Sequence, residues 1–482
     1  LIGDAGLTLD PTVLASVTAD NNCFSFVEAI PGGFVPRFGG DLRDFGITAG
    51  LRGDIDLGTG LSYDLSITQG QSKVDFFINN TVNASLGPIA GSNNTAVQRN
   101  FRAGGQEQIE TTVNADFGYL VDVGLASELS VAFGAEYRKE QFDLIAGEKA
   151  SFELGPLADQ GFSSSSNGFG GFPNSSSNSQ DNIGTYIDLE ADVSDKLTLQ
   201  GAVRYEDFSD FDSQLTYKIA GLYRLTDDVS LRGTFSTGYH APTAGQANIT
   251  NVTTQNVNGV LVDQGTLPLS SAAGQLAADF IEDRDGGRPT LGTEDAKNLS
   301  LGVAFDTGPV SWKVDYFNIK VNNRIALAAN VDFLSALDFA ADTDGDGNPD
   351  VAGYDNTTVA SAITTLSNAN IINRADYVGF DDLTQFRYFS NSFDTKTQGF
   401  DVVAEAPLDW GQSGSTKAVL ALNYTDTTVT DRGTVNPIGA GRVVALEELL
   451  PNWKGNVTVT HEQGMWRGLV RANYYGAWND AP

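Results

Sequence analysis

Four consecutive stretches over residues 183–239 alternate strictly between apolar and polar side chains. In the first stretch, Ile187 and Leu189 fall on one face, whereas Asp188 and Glu190 fall on the other. Because successive residues of a strand point to opposite faces, each stretch predicts a β-strand with one apolar face. The stretches are about ten to twelve residues long, about twice the usual length of a strand in a soluble sandwich. A tilted strand that crosses a bilayer needs roughly 9–11 residues, so the length favours a membrane protein.

The same strand signals recur along the chain and predict roughly fourteen strands. They are expected near residues 45–55, 61–71, 108–118, 128–143, 182–193, 196–206, 214–225, 229–239, 297–306, 310–321, 397–407, 416–428, 453–461 and 465–476. Short connections between them alternate with long ones, which cover residues 144–181, 240–296, 322–396 and 429–450. Outer-membrane barrels have short periplasmic turns and longer extracellular loops.

The predicted fold class is therefore all-β, an antiparallel transmembrane β-barrel of the outer membrane with long extracellular loops. We expect a loop segment over residues 1–43 and the barrel over residues 44–482. Four short helices are also expected in the loops. They lie over residues 13–17, after Asp10 and Pro11, and over residues 272–280, 331–340 and 359–366. The stretch at residues 161–181 is rich in Gly, Ser and Asn, which is typical of a mobile loop.

The alternation also assigns side chains to the two faces of the predicted barrel. In the fourth stretch, Phe235 and Tyr239 fall on the lipid face and Arg232 falls on the lumen face. Lumen carboxylates such as Asp188 and Glu190 are expected to form a charge ladder rather than a catalytic pair. Their predicted partners are Arg204, Lys218, Arg224 and Arg232.

Composition narrows the choice of partners. The hydrophobic fraction is 41%, no apolar run is long enough for a transmembrane helix, and the formal net charge is −32. So acidic a chain is not expected to bind nucleic acid. The acidity suits divalent cations or cationic solutes, and solubility of the long loops would explain it equally well.

The chain has a single cysteine, Cys23, which predicts either a free thiol or a partner outside this sequence. The sequence starts at Leu1 without a methionine or a signal peptide. An exported protein needs such a signal, so we expect a processed or partial chain.

One loop motif has the composition of a calcium site. Asp342, Asp344, Asp346 and Asp350 are interleaved with glycines, and carboxylates at alternate positions let a tight loop surround a hard cation. The motif resembles the front of an EF-hand or dockerin-type loop, but Gly353 stands where the twelfth-position Glu is expected. We expect either a bound calcium that fixes an extracellular loop or an acidic, solvated turn.

Enzyme signatures are hard to find. The two histidines, His240 and His461, lie far apart in the sequence, so neither a two-histidine metal site nor a Ser-His relay is expected. No nucleophile elbow, P-loop or dinucleotide fingerprint occurs. The prediction is a protein that is not an enzyme and requires no cofactor.

Several segments, in order, resemble TonB-dependent outer-membrane receptors. The segment LRGTFSTGYHAPT (231–243) is similar to that family's R-x-S-x-S-T-G-F-R-A-P-type strand, although His240 stands where Arg is common. Asn322 and Asn323 likewise replace an acidic pair before Arg324. Further similar segments are VDFFINNTVNASLGP (74–88), FGAEYRKEQFDL (133–144), GTEDAKNLSLGVAF (292–305), VDYFNIKVNNRI (314–325), RYFSNSFDTKTQGFDVVAEAPL (387–408) and LPNWKGNVTVTH (450–461).

The resemblance implies an importer whose barrel has roughly 22 strands around a plug domain. It implies a small-molecule substrate such as an iron chelate, cobalamin or a carbohydrate. The implied partners are a TonB-type energy-transducing protein, acting through the plug, and outer-membrane lipid. No segment resembles the plug, and we expect the closing strands to be missing as well.

Two other functions fit the pattern of strands. A passive porin-like channel could close with an even number of strands near fourteen and needs no plug. A secreted calcium-binding adhesin or structural β-protein would bury its apolar face in a sandwich. The latter would be extracted without detergent.

Overall fold

The computed structural model describes residues 26–90, 96–157, 162, 171–257, 260–381 and 383–479. Within these ranges, fourteen strands form one antiparallel sheet. They are β1 (Arg37–Ile55), β2 (Leu61–Asn79), β3 (Asn100–Val121), β4 (Leu129–Ile145), β5 (Ser176–Ser194), β6 (Leu197–Phe208), β7 (Gln214–Arg224), β8 (Val229–His240), β11 (Glu294–Thr307), β12 (Val310–Leu327), β15 (Phe389–Asp409), β16 (Ser415–Asp431), β17 (Trp453–Gln463) and β18 (Trp466–Tyr475). A second sheet contains β9 (Asn251–Val257), β10 (Val260–Thr266), β13 (Val331–Asp332) and β14 (Leu383–Arg387).

The large sheet confirms the predicted fold class and its strands, but many strands extend beyond the predicted ends. The first strand begins at Arg37, so the predicted boundary at residue 44 falls inside β1. Gly39 and Gly40 weaken the sequence signal there, since glycine disfavours strands. Pairing with β2 nevertheless continues to Arg37, opposite Asn79, so cross-strand hydrogen bonds determine the start of the strand.

The two faces of the large sheet differ as the alternation predicts. The face that we call the outer face exposes large apolar side chains, including Leu215 at 62%, Ile219 at 63% and Leu301 at 52%. The face that we call the inner face is lined by charged and amide side chains such as Arg204 and Gln200. A continuous apolar face of this kind is stable when lipid covers it.

The two ends of the large sheet also differ. At one end, which we call the turn end, successive strands are joined by short segments such as residues 195–196, 225–228 and 308–309. At the other end, the loop end, the connections reach from 241 to 293 and from 328 to 388. The predicted alternation of short and long connections is therefore present along the sheet.

The two longest connections pack together into a separate hydrophobic unit, which we call the loop module (residues 251–285 and 328–388). It contains the small sheet and three α-helices, α3 (Ala272–Asp285), α4 (Phe333–Ala341) and α5 (Val359–Asn368). The other described α-helices are α1 (Phe26–Ala29), α2 (Ala244–Asn248) and α6 (Ala440–Glu448). The largest buried side chains of the module are Leu267, Ile281, Phe333, Leu337, Ile363, Leu366, Leu383, Phe386 and Tyr388.

Helices α3, α4 and α5 confirm three of the predicted loop helices. Each begins at a side chain that accepts a hydrogen bond from the first turn: Ser271 from Gly274 N and Thr358 from Ser361 N, for example. Such caps satisfy backbone donors that otherwise have no partner inside the helix. The small sheet was not predicted, and its central pair, β10 and β14, is parallel.

Three features of the sequence lie outside the described residues: Cys23, the expected helix at 13–17, and most of the stretch at 161–170. Among the described helices, none has both the length and the apolar composition needed to cross a bilayer.

Candidate functional site at the inner face and the loop end

Arg204 is the centre of an ion network on the inner face. Its guanidinium donates to Glu206 and, at 3.3 Å, to Oε1 of Glu136. Asn182 Nδ2 donates to Oε2 of Glu206 at 2.9 Å. Gly184 leaves room for the arginine, because a Cβ at that position would lie 2.6 Å from Nη2 of Arg204. Side chains of β5 and β6 thus contact one buried carboxylate, Glu206, and Glu136 of β4 joins the network through Arg204.

A second network lies beside the first on β3, β4 and β5. Arg138 Nη2 donates to Oε2 of Glu110 at 2.6 Å. The buried carboxylate of Glu140 accepts one hydrogen bond from Gln108 and another from Gln180, each at 3.0 Å. Amides thus solvate Glu140, as buried charges require.

The two networks border a cavity of about 400 Å³ at the loop end of the inner face. Residues 241–243 cover part of it, and Gln180 Nε2 donates to the carbonyl oxygen of Pro242 at 3.0 Å. The lining is rich in carboxylates and amides, which suits a hydroxylated or cationic group. The lining residues are Glu136, Arg138, Glu140, Gln180, Asn182, Glu206, Phe208, Tyr239, His240, Ala241, Pro242 and Thr243.

The segment that covers the cavity is held by its own sequence. Thr243 caps α2 in a capping box with Gln246, in which each side chain bonds to the other residue's backbone N–H. Ala244 of the same helix is buried against Phe142 of β4. The loop therefore starts with a fixed geometry beside the cavity.

Ion pairs cross the strands of the inner face, but the predicted pairing of Asp188 and Glu190 with basic residues is not found among the described residues. Arg232 pairs with Asp315 of β12, two strands away, rather than with a carboxylate from β5. Asp188 accepts hydrogen bonds from Gln200 Nε2 at 3.0 and 3.2 Å. Charges on the inner face are thus neutralised across strands, but the partners differ from those expected.

The predicted lipid-face position of Tyr239 is wrong. Tyr239 lines the inner-face cavity together with Glu206, and its ring meets that of Phe208 edge-on at 5.7 Å between centroids. Pairing between β7 and β8 ends at Lys218 and Ser236, so the last residues of β8 pair only with β11. That end of the strand can therefore turn Tyr239 inward.

The predicted calcium loop follows α4 directly, and the structure brings three of its four aspartates together. Carboxylate oxygens of Asp342, Asp344 and Asp350 lie within 4.8 Å of one another. Asp346 is outside this group, and its Oδ1 accepts the backbone N–H of Asn348 at 2.8 Å. The predicted four-residue set is therefore reduced to three.

Backbone donors fold this loop around Asp342. The carboxylate accepts N–H groups from Gly345 at 2.8 Å, Gly347 at 2.8 Å and Asp346 at 3.1 Å. Both glycines have positive φ, +76° and +89°, which side-chain-bearing residues rarely adopt. Desolvation acts to raise the pKa of Asp342, but these three donors outweigh it, so the pKa is lowered. The loop thus keeps Asp342 ionised.

The loop is attached to the core of the loop module at both ends. Asp350 N donates to the carbonyl oxygen of Ala341 at 2.9 Å, closing the loop at its base. The Tyr354 hydroxyl donates to Oδ1 of Asp338 on α4 at 2.8 Å. Burial, followed by this hydrogen bond, raises the pKa of Tyr354.

The two histidines lie at opposite ends of the large sheet. His240 is at the loop end of β8 and lines the cavity, whereas His461 is near the turn end of β17. His461 Nδ1 lies 2.8 Å from the hydroxyl of Thr416. They cannot share a site.

A meander of strands 10 to 22 residues long, with an apolar outer face, a polar inner face and unequal ends, defines the wall of a transmembrane β-barrel. The family profile described as TonB dependent receptor-like, beta-barrel matches residues 9–482. The chain belongs to this family of outer-membrane receptors.

Solved structures of the same fold include a mutant of the ferric enterobactin receptor (PfeA) from Pseudomonas aeruginosa. The TM-score is 0.53 at 12% identity, covering 90% of this chain and 49% of the receptor. For the RagAB peptide transporter, the TM-score is 0.53 at 12% identity, covering 93% of this chain and 49% of the other. The chain thus spans about half the length of these relatives. No curated protein matches it.

Proposed function

We propose that this chain forms the barrel wall of an outer-membrane receptor that imports a scarce solute with energy delivered through a TonB-type protein. The observation that carries the proposal is the family match over residues 9–482. The fourteen-stranded sheet supports it, because its inner face offers a polar path and its loop end offers a large folded surface. A small-molecule substrate would first meet the loop module and then the cavity beside Tyr239.

The similar structures include a ferric enterobactin receptor and a peptide transporter. For this chain we propose a substrate from one of three classes: iron chelates, cobalamin or carbohydrates. The cavity lining favours members of these classes that present hydroxyl or cationic groups, because carboxylates and amides accept hydrogen bonds from them.

The test is an uptake assay with the solute that mass spectrometry identifies on protein purified from its source. Cells are compared with and without TonB, and with and without a protonophore. We expect uptake at nanomolar solute to stop when either the coupling protein or the proton gradient is removed. Uptake that persists in both conditions would support the passive channel and contradict active import.

We further propose that Asp342, Asp344 and Asp350 bind one calcium ion that fixes the loop after α4. The close approach of their three carboxylates supports the proposal. So does the hydrogen bond from Asp350 N to the carbonyl oxygen of Ala341, which closes the loop. Calcium prefers six to eight oxygen ligands, so carbonyl oxygens or water would complete the shell. The ion would have a structural role at the loop end.

Calorimetry on the purified protein tests this site, with Asp346→Asn as the matched control for Asp344→Asn. Both substitutions remove one charge from the same loop, but only Asp344 belongs to the cluster. We expect Asp344→Asn to weaken calcium binding at least tenfold and Asp346→Asn to change it little. No heat from the unaltered protein at millimolar calcium would refute the proposal.

A further inference from the structure

Three lysines lie side by side on adjacent strands of the large sheet. In the register of β11 and β12, Lys297 is opposite Lys320, and in the register of β12 and β15, Lys320 is opposite Lys396. We call this set the lysine row. Lys297 and Lys320 are exposed and Lys396 is half-buried.

The lysine row belongs to the outer face. Lys297 is two residues from Leu299 and four from Leu301, so it shares their face, and these leucines are 38% and 52% exposed. By the same alternation, Lys320 shares a face with Tyr316, and Lys396 shares one with Phe400. The row therefore continues the apolar surface toward the loop end.

Side chains below the row mark the edge of the apolar belt. Leu301, Tyr316, Phe400 and Tyr424 are successive cross-strand neighbours. The ring of Tyr424 lies 4.8 Å from that of Trp453 between centroids. Aromatic rings of this kind concentrate at the headgroup level of a bilayer. The lysines lie four residues further along each strand, beyond an intervening row that contains Leu299, Asn318 and Gln398.

The positive charges of the lysine row are not balanced by ion pairs within the described residues. Neighbouring strands are about 4.8 Å apart, so the three Cα atoms span only about 10 Å. Like charges directly opposite on neighbouring strands destabilise a sheet. Within the described ranges, none of the three ammonium groups forms an ion pair, whereas Lys73, Lys149 and Lys417 all do.

Three carboxylates lie near the lysine row without neutralising it. Asp295 is the next same-face residue of β11 toward the loops, Asp394 is two residues from Lys396 on β15, and Asp426 is diagonal to Lys396 on β16. None of them makes a salt bridge to the row in the part of the chain that the structure describes. Three positive charges therefore converge at one depth of a chain whose formal net charge is −32.

We propose that the lysine row binds a phosphate group of a membrane lipid whose acyl chains lie along the apolar belt beneath it. A phosphate offers several charged oxygens to ammonium donors, and each lysine near an anionic membrane surface strengthens the attraction between protein and lipid. The continuity of the row with Leu301 and Tyr316 favours lipid over free phosphate. The inference rests on the membrane setting of the proposed function.

The test uses native mass spectrometry of the full chain in detergent with three probes. They are a phosphorylated lipid of the lipid A type, the same lipid without its phosphates, and inorganic phosphate. The variant replaces Lys297, Lys320 and Lys396 by Gln. The matched control replaces Lys149, Lys196 and Lys313 by Gln, which removes the same charge from a loop, a turn and the inner face.

We expect the lysine-row variant to bind the phosphorylated lipid roughly 100-fold more weakly, from the contributions of three lysines, and the control to bind normally. The lipid without phosphates should not distinguish the proteins. Equal binding of the phosphorylated lipid by the variant and the unaltered protein overturns the proposal. So does inorganic phosphate bound as tightly as the lipid, which would indicate a soluble-anion site.

A triple Lys→Arg variant checks that the result is not a folding defect, and it should retain binding because the charges remain. The measurement needs neither substrate nor TonB. A failed uptake experiment would therefore not contradict the lipid site. Failure to find lipid binding would likewise not contradict active uptake.

Discussion

Replacing Phe333 by Ala should open the loop module without opening the barrel. The Phe333 side chain is fully buried, and its ring meets those of Tyr377, Phe380 and Phe386 at 6.3, 6.4 and 5.5 Å between centroids. Removing such a side chain costs about 3–5 kcal/mol through lost burial and the remaining cavity. At about 1.36 kcal/mol per tenfold change, the opening equilibrium should rise roughly 1,000-fold.

Hydrogen exchange measured by mass spectrometry reports this change segment by segment. Amides of α4 and α5 should exchange roughly 1,000-fold faster in Phe333→Ala, by the same conversion. Helix α3 should accelerate with them, because Ile281 belongs to the same core. Strands β3 and β4 should keep their protection, since Phe333 is not part of their packing.

The matched control is Ile371→Ala, which removes an apolar side chain that is 43% exposed in the same module. It should change protection by no more than about 0.5 kcal/mol. Unchanged exchange in α4 of Phe333→Ala would refute the core assignment. Faster exchange in α4 without faster exchange in α3 would show that the two loops do not open as one unit.

Three further predictions test the faces, the ion network and the alkaline response. Ile219→Arg, at an outer-face residue that is 63% exposed, should destabilise the barrel in lipid by about 2–4 kcal/mol, whereas Thr216→Arg on the inner face of the same strand should cost much less. Arg204→Gln should lower the free energy of unfolding by about 2–3 kcal/mol, because it leaves Glu206 without its charge partner. The Arg204 side chain is 30% exposed, so the expected loss is smaller than for a fully buried ion pair. Burial raises the pKa of Tyr377 to about 12. The packed state therefore favours the neutral phenol, so module stability should be full below about pH 10 and fall as the pH rises toward 12. Tyr377→Phe should reduce that loss, as followed by hydrogen exchange or tyrosine absorbance.

Each of these three predictions would be contradicted by one specific result. Equal costs for the two arginine substitutions would invalidate the face assignment. Unchanged unfolding of Arg204→Gln would show that the network contributes no net stability. An identical alkaline response in Tyr377→Phe would assign the response to another group.

The fourteen strands were predictable where alternation is strict, as in β5 through β8, because the period of two reports the two environments directly. Strand ends were harder to predict. The segment FSNSFDTK at the start of β15 shows no alternation of apolar and polar residues, because Phe389 and Phe393 are its only apolar side chains. There the hydrogen bonds to β12 maintain the strand rather than any hydrophobic pattern.

The loop module was only partly predictable. Its helices carry local caps at Ser271 and Thr358, which a sequence displays. Its sheet depends on the pairing of β10 with β14, and neither short segment has a strong pattern of its own. Helix α6 gave no such signal, because its N-cap residue, Gly439, has no side chain that could accept a hydrogen bond.

The candidate site was likewise predictable only where its residues are close in the sequence. The spacing of Asp342, Asp344 and Asp350 pointed to a cation site, because loop ligands are close in sequence. The turn of Asp346 toward Asn348 depends on local backbone geometry. The cavity beside Glu206 unites residues from β4, β5, β6 and β8, so only the register of the sheet could reveal it.

The parallel pairing of β10 with β14 constrains the order of assembly. Gln264 and Gln385, which bond to each other at 3.1 Å, are 121 residues apart in the chain. Closing so long a segment by chance is slow. Once β8, β11, β12 and β15 are zipped together, however, the bases of both loops stand side by side, and the search becomes local. The barrel wall would thus serve as the template on which the loop module folds. If the wall formed slowly, the apolar residues of both loops would stay exposed until the loops could pair.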